Sequence, residues 1–252
     1  MDFDLKGKTA IITGSSHGLG KSIAFTLHNQ GCNVMLNGRN KKSLESTLAE
    51  FGKNCEIFVG DVTNPLECKE LTKNTKKKFG TIDILICNVG SGRSVKPGHE
   101  TISEWKRILD LNFFSSINMI ESCSNELSKN NGTIVCISSI AGLENIDAPI
   151  TYSVAKSALN TYVKAISKPL ADKNIRINAV APGNLLFPGS VWDKKIKQNK
   201  KEIFNMINEK VPLKKFGKLN EISPMVAFLA SPLSSFITGS IFVVDGGQTK
   251  RF

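Results

Sequence analysis

Short apolar runs alternate with longer, helically spaced stretches along this chain. Continuous or alternating apolar runs occur at 8–13 (KTAIIT), 33–37 (NVMLN), 55–60 (CEIFVG), 82–87 (IDILIC), 132–138 (GTIVCIS), 175–180 (IRINAV) and 240–244 (SIFVV). Between them, apolar residues recur at helical intervals near 18–30, 41–51, 65–79, 101–128, 151–172 and 221–230. The first set predicts strands and the second helices. Such alternation calls for right-handed crossovers, a parallel seven-stranded sheet and helices on both faces, a doubly wound α/β fold. No internal repeat or low-complexity linker interrupts it, so a single domain over 1–252 is expected. The stretch 184–217 breaks the rhythm, with two prolines, scattered aromatics and no strand. Ligands of such sheets bind beyond the carboxyl ends of the strands. An irregular insertion after the sixth strand is therefore expected to be a lid.

Composition narrows the function classes. The chain has 252 residues, 40% hydrophobic and 22% charged, enough for a substantial core and unlike a disordered segment. No apolar run reaches the length of a membrane span. "MDFDLKGKTAIITG" passes almost at once into a strand, so a cytoplasmic protein without a leader is expected. Six cysteines (32, 55, 68, 87, 123 and 136) show no metal-ligand spacing and fit small hydrophobes in a reducing compartment. No metal is expected. The net charge of +11 rests on 28 lysines and only five arginines, at 39, 93, 107, 176 and 251. Arginine is the residue suited to forked phosphate and base-edge contacts, and the lysines are spread over most helices. Neither a nucleic-acid nor a membrane partner is expected.

"TGSSHGLG", Thr13 to Gly20, closes the first strand and opens the first helix. Glycines at 14, 18 and 20 permit a tight turn and close backbone approach, leaving helix N–H groups aimed at a pyrophosphate. Ser16 and His17 lie in the same loop. A carboxylate at the end of the second strand would accept from ribose hydroxyls and repel a 2′-phosphate. From Cys32 to Leu44 there is none; "LNGRNKKS" supplies Arg39 instead, followed by Lys41 and Lys42. NADP(H) is therefore favoured over NAD(H).

Other polar or turn-forming residues gather where strands end: Asp61 and Val62, Asn88 and Gly90, Ser138 and Ser139, Pro182 and Gly183. Asn112 falls inside a predicted helix, where asparagine is a poor former. Tyr152 and Lys156 stand four residues apart and share one helix face. From about Lys6 to Thr249 the sequence resembles the short-chain dehydrogenase/reductase family, whose fold is of the Rossmann type. The resemblance is carried by "TGSSHGLG", "GDVT", "NVG", Asn112, Ser139, Tyr152-x-x-x-Lys156, Pro182-Gly183 and "FVVDGG" at 242–247. It implies that Asn112, Ser139, Tyr152 and Lys156 form a catalytic tetrad. Ser139 is preferred to Ser138 because the family's serine commonly lies about thirteen residues before the tyrosine. It implies further that Gly14, Ser16, His17, Gly18, Leu19, Gly20, Arg39, Asp61, Val62, Asn88, Gly90, Tyr152, Lys156, Pro182, Gly183 and Leu185 line a nicotinamide cofactor.

The chain departs from the family at Val89, larger than the usual alanine, and after Pro182-Gly183, where "NLLFPGS" lacks a common threonine. Leu185 would then make its cofactor contact through the backbone. The implied activity is interconversion of a ketone and a secondary alcohol, with Tyr152 as general acid/base. A lysine ammonium about 4 Å from a phenol, at an effective dielectric of about 20, favours phenolate by roughly 4 kcal/mol, about three pKa units. Asn112 would anchor a water through its backbone or amide. The substrate is a small carbonyl or alcohol compound, free or carried. The overall pattern is similar to 3-oxoacyl-[acyl-carrier-protein] reductases, kept as an alternative beside a polyol or sugar dehydrogenase and a non-catalytic NADP-binding regulator. Resemblance also implies a homotetramer, with 101–128 and 151–172 as contact helices. In the lid, Leu185, Leu186, Phe187, Trp192, Phe204, Met206 and Phe216 are candidates for an apolar wall. Lys194, Lys195, Lys197, Lys200 and Lys201 form a basic rim, and Arg93 stands near enough to the site to meet a substrate carboxylate.

Overall fold

The strand segments are apolar on both sides because both faces of their sheet are covered. In the computed structural model, which describes residues 2–250, they are β1 (Thr9–Ile12), β2 (Asn33–Gly38), β3 (Cys55–Val59), β4 (Ile84–Cys87), β5 (Thr133–Ile137), β6 (Arg176–Pro182) and β7 (Ile241–Val244). All pair in parallel, in the order β3-β2-β1-β4-β5-β6-β7. The expected doubly wound α/β fold is the one observed. The order reverses between β1 and β4, and the carboxyl ends of those two strands flank a crevice at that switch point.

Alternate side chains of each strand enter opposite cores. Ile12, Leu36, Ile84, Ile86, Val135 and Ile137 face one layer, and Ile11, Met35, Leu85, Cys87, Ile134 and Cys136 the other. The first layer is closed by α1 (Gly18–Asn29) and α9 (Leu219–Ala230), through Ile23, Leu27, Ile222 and Val226. The second is closed by α3 (Pro65–Phe79), α5 (Ser115–Lys129) and α6 (Ile150–Ala171), through Leu71, Met119, Leu159 and Val163. The shorter α2 (Lys41–Leu48) follows β2, its N-terminus capped by Asn40 accepting from the Ser43 N–H. All six cysteines are free, five of them buried, and burial pushes the thiols of Cys32 and Cys123 up to about 12.

Two expectations need correction. The stretch 101–128 is not one continuous helix. It is α4 (Ile102–Leu109), a π-helical turn over Asp110–Phe114, and then α5. The turn inserts one residue into the ladder, so the Ser115 N–H reaches back to the Asp110 carbonyl. The lid is also more regular than expected. It holds α7 (Val191–Gln198) and α8 (Lys200–Lys210), capped by Ser190 and Asn199, and a single parallel bridge pairs Leu185 with Gly217.

Candidate functional site

The glycine loop is built around Thr13 and Asn88. Thr13 Oγ1 accepts from the N–H groups of Asn88 (2.9 Å) and Val89 (3.3 Å). Asn88 Nδ2 returns two bonds, to the carbonyls of Thr13 (3.0 Å) and Gly14 (3.2 Å). The Asn88 amide therefore ties the end of β4 to the end of β1. Two of the glycines are obligatory. A Cβ on Gly20 would lie 2.4 Å from the Gly14 carbonyl oxygen and 2.5 Å from Asn88 Nδ2. Gly18 has φ +57° and would meet Phe187 Cε2 at 2.8 Å. His17 precedes α1 in extended conformation without a side-chain cap, and no acidic residue stands in the first turn. The first amides of α1 are thus left for an anion, as a pyrophosphate requires. This cradle fits a dinucleotide.

The other cofactor candidates take distinct places. Arg39 follows β2 and reaches Asp61, 3.4 Å away, with the arginine largely exposed. Burial pulls the Asp61 carboxyl up, but bonds from Thr63 and the Arg39 guanidinium outweigh it and hold it below the usual range. Ser16 and His17 bond to each other (3.1 Å) at the exposed rim. Leu19 packs into the first core and Val62 into the second, so these two contribute backbone and shape, not polar side chains. Pro182 ends β6 opposite Val244, and the Gly183 N–H donates to the Val244 carbonyl. The bonds flanking Leu185 are made by Asn184 and Leu186, leaving the Leu185 amide outside that pairing. Val89 does not stand free beside the site, because its Cγ2 packs against Gly14.

The proposed tetrad residues converge from β5, α6 and the π turn. Ser138 and Ser139 separate cleanly. Ser138 is buried, and its Oγ donates to Asn160 Oδ1 at 2.6 Å. Ser139 is partly exposed and caps a short 3₁₀ turn, Ile140–Gly142, by accepting from the Ala141 N–H. That turn lies directly on α6, since a Cβ on Gly142 would be 2.6 Å from the Lys156 carbonyl carbon. Asn160 also donates to the Gly142 carbonyl (3.2 Å), gripping the chain on both sides of Ser139. Sequence reasoning missed Asn160. The available signal was a buried-face asparagine one helical turn beyond Lys156.

Tyr152 and Lys156 face the crevice from α6. The Lys156 ammonium is almost wholly buried and donates to the Ile137 carbonyl at 2.7 Å. Burial pulls its pKa down to about 8. Its distance from the Tyr152 ring centroid is 6.0 Å. Burial raises the Tyr152 pKa, against the opposing pull of a hydrogen bond with Ser139. Asn112 is fully buried: its Oδ1 accepts from the Ser91 N–H (2.8 Å), and its Nδ2 donates to the carbonyls of Ser91 (3.2 Å) and Ile108 (3.1 Å). Gly90 lies between these groups, where a Cβ would come 2.8 Å from Asn112 Oδ1 and 3.2 Å from Lys156 Nζ.

The lid touches the glycine loop, the loop after β4 and the loop before α6. Leu186, Trp192, Met206 and Phe216 form its own core with Ile207 and Val211, and Phe204 stacks edge-on against Phe216. These side chains hold α7 and α8 together. Phe187 instead lies on Gly18. Arg93 donates to the Gly189 carbonyl (3.4 Å), and Lys210 to Asp147 in the β5–α6 loop (2.6 Å). Of the basic rim, Lys197 pairs with Asp193 and Lys195 lies over the Trp192 ring.

The sequence matches, over residues 14–249, the family model described as "Enoyl-(Acyl carrier protein) reductase". It is 33% identical over 256 residues to glucose 1-dehydrogenase 2 of Bacillus subtilis, covering 98% of this chain and 96% of the relative. The chain belongs to the short-chain dehydrogenase/reductase family. Membership makes it an oxidoreductase of the alcohol–carbonyl couple that uses a nicotinamide cofactor. Another relative in the family is the 3-oxoacyl-[acyl-carrier-protein] reductase FabG of Rickettsia bellii, 33% identical over 246 residues, covering 97% of this chain and 98% of the relative. Among solved structures, L-sorbose reductase of Gluconobacter frateurii with NADPH and L-sorbose superposes with a TM-score of 0.93 at 27% identity, both chains covered fully. A 7α-hydroxysteroid dehydrogenase with NADH and a 7-oxo bile acid gives 0.90 at 30% identity, covering 99% of this chain and 97% of the other. Among the described residues no helix is long and apolar enough to cross a membrane, and no cluster of metal-ligating side chains occurs.

Proposed function

We propose that this short-chain dehydrogenase/reductase is an NADP(H)-dependent enzyme that interconverts a ketone and a secondary alcohol, with Tyr152 as general acid/base. The observation that carries the reading is the meeting of Ser139, Tyr152 and Lys156 beside the uncapped amides of the glycine loop. A bound nicotinamide supplies or accepts the hydride. Ser139 donates a hydrogen bond to the substrate oxygen and orients it toward the phenol. Tyr152 gives its proton to the developing alkoxide, or takes it in the reverse direction. Its raised pKa keeps the phenol protonated at neutral pH, which suits donation. Lys156, held on the Ile137 carbonyl, has two further ammonium hydrogens with which to grip a ribose and bias the phenol. Asn112 keeps the loop at Ser91 and Gly90 in place against Lys156.

The preference for NADP(H) rests on Arg39 and on the absence of a carboxylate from Cys32 to Leu44. Exposed Phe114, Ile150 and Val154 on the π turn and α6 support a homotetramer, which light scattering tests. Free, buried cysteines support a reducing, cytoplasmic setting. Loss of about 10²–10⁴-fold in kcat in Tyr152→Phe, with NADPH affinity little changed, is the expected result for removal of a general acid. Near-normal turnover refutes the role. NADPH should bind at least tenfold more tightly than NADH. A second reading, reduction of a 3-oxoacyl group on an acidic carrier, is favoured by the exposed Lys194, Lys200 and Lys201 on the lid. A screen of acetoacetyl thioesters, keto sugars, quinones and keto acids separates the two readings.

A further inference from the structure

Of the four arginines in the described residues, three face partners within the fold, a carboxylate for two of them and a set of carbonyls for the third. Arg39 lies against Asp61, Arg107 bonds twice to Glu104, and Arg176 donates to the carbonyls of Leu229, Ser231 and Ile237. Arg93 is exposed, has no carboxylate partner among the described residues, and makes one long bond, 3.4 Å, to the Gly189 carbonyl.

The backbone of Arg93 is fixed more firmly than its guanidinium. Its N–H donates to Ser91 Oγ (3.2 Å), and its carbonyl accepts from Arg107 Nη2 (3.2 Å). Glu104, which holds Arg107, also accepts from Ser94 Oγ (2.7 Å). The Ser94 hydroxyl lies 2.7 Å from that of Thr151, the residue before Tyr152. A chain of polar contacts thus registers residue 93 to the start of α6. The neighbouring Gly92 faces the phenol, its Cβ position 3.9 Å from Tyr152 Cε1 and Cζ. The guanidinium therefore reaches toward the lid at Gly189 from a main chain that, at Gly92, abuts the Tyr152 phenol.

We propose that Arg93 is a specificity-determining residue that binds an oxyanionic group, carboxylate or phosphate, on the substrate. This inference rests on the reading that the reacting carbonyl sits at Tyr152, and it adds the substrate class. A planar guanidinium fork matches an oxyanion in two parallel bonds, which a single carbonyl does not. Exchange of the long bond to Gly189 for such a pair gives up little and gains charge assistance. Because the backbone is already ordered, only side-chain freedom is lost on binding.

The test compares acetoacetate, levulinate and 5-oxohexanoate with their methyl esters, and dihydroxyacetone phosphate with dihydroxyacetone, by NADPH oxidation. Wild-type enzyme should prefer at least one charged member of these pairs in kcat/KM, and the best pair identifies carboxylate or phosphate. Arg93→Ala should reduce that preference about 10- to 100-fold, mainly through KM, and Arg93→Lys should restore part of it. No preference for any charged substrate, or a preference unmoved in Arg93→Ala, overturns the proposal and leaves Arg93 a tether of the lid. Should no ketone turn over at all, the proposed function falls by itself. Binding of succinate and of inorganic phosphate to the NADP⁺ complex, followed by tryptophan fluorescence, still decides the role of Arg93. Weakening of one of them in Arg93→Ala supports it, and equal binding to both forms overturns it.

Discussion

Replacing Lys156 by methionine should make the cofactor-free protein more stable near neutral pH, although it removes a group central to the proposed chemistry. Lys156 is 3% exposed, and burial brings its pKa from 10.5 to about 8. A group that binds its proton less tightly when folded opposes folding while the proton is on. The penalty is full below pH 8 and fades as pH rises toward 10.5, since over that window the unfolded chain holds a proton that the folded chain has released. A depression of about 2.5 units, at about 1.36 kcal/mol each, corresponds to roughly 3 kcal/mol at pH 7. Methionine fills similar space without charge but leaves the Ile137 carbonyl without its 2.7 Å donor, a loss of about 1–2 kcal/mol. The net expectation at pH 7 is a gain of about 1–2 kcal/mol, or roughly 2–8 °C in Tm for a chain of this size. By pH 10 most of the wild-type penalty has gone, and the variant should become the less stable protein. Paired thermal or urea melts of both proteins at pH 7 and pH 10 read the difference directly. A stability difference that does not move between those two pH values refutes the strained ammonium.

Three further outcomes follow from the geometry. Ser138→Ala should cost about 1–3 kcal/mol in urea melts, by leaving the buried Asn160 oxygen without a donor, while Ser139→Ala should instead lower kcat about 10²-fold or more; similar effects at both positions would sink the separation of roles. Arg39→Ala should reduce the NADPH-to-NADH affinity ratio about 10- to 100-fold in fluorescence titrations, because only the phosphorylated cofactor loses a charge-assisted partner. Phe187→Ala removes the ring lying on Gly18, and about 1 kcal/mol of lost contact should speed NADPH release roughly fivefold in stopped-flow displacement. An unchanged rate would mean that the ring does not cover the bound cofactor.

What the sequence disclosed was whatever depends on periodicity or on a local backbone demand. The two-residue repeat of β4 and β5 splits Ile84 and Ile86 from Leu85 and Cys87, and that split is the layer structure of the fold. Gly14, Gly18 and Gly20 were legible because their spacing after a strand marks a tight turn, and a Cβ at Gly18 or Gly20 would clash. The π turn at Asn112 was not, since one extra residue barely disturbs a helical pattern; only the misplaced asparagine hinted at it. The lid helices α7 and α8 were hidden by short, lysine-rich faces whose apolar residues pack on each other. Asn160 and the run from Arg107 through Glu104 and Ser94 to Thr151 join residues distant in the chain, and no spacing rule marks them. The anchoring of Lys156 was also beyond helical spacing, because its partner, the Ile137 carbonyl, comes from another strand.

The segment carrying Phe187 touches the glycine loop at Gly18 and, two residues on, the Arg93 side chain at Gly189. Such a pair of contacts imposes a sequence in time. With a cofactor bound at the glycine loop as proposed, it should be seated before the segment settles and should depart only after the product has left. On the proposed function, turnover should then be compulsory-ordered, with the nicotinamide first on and last off, and product inhibition by the oxidised cofactor should be competitive against the reduced one alone.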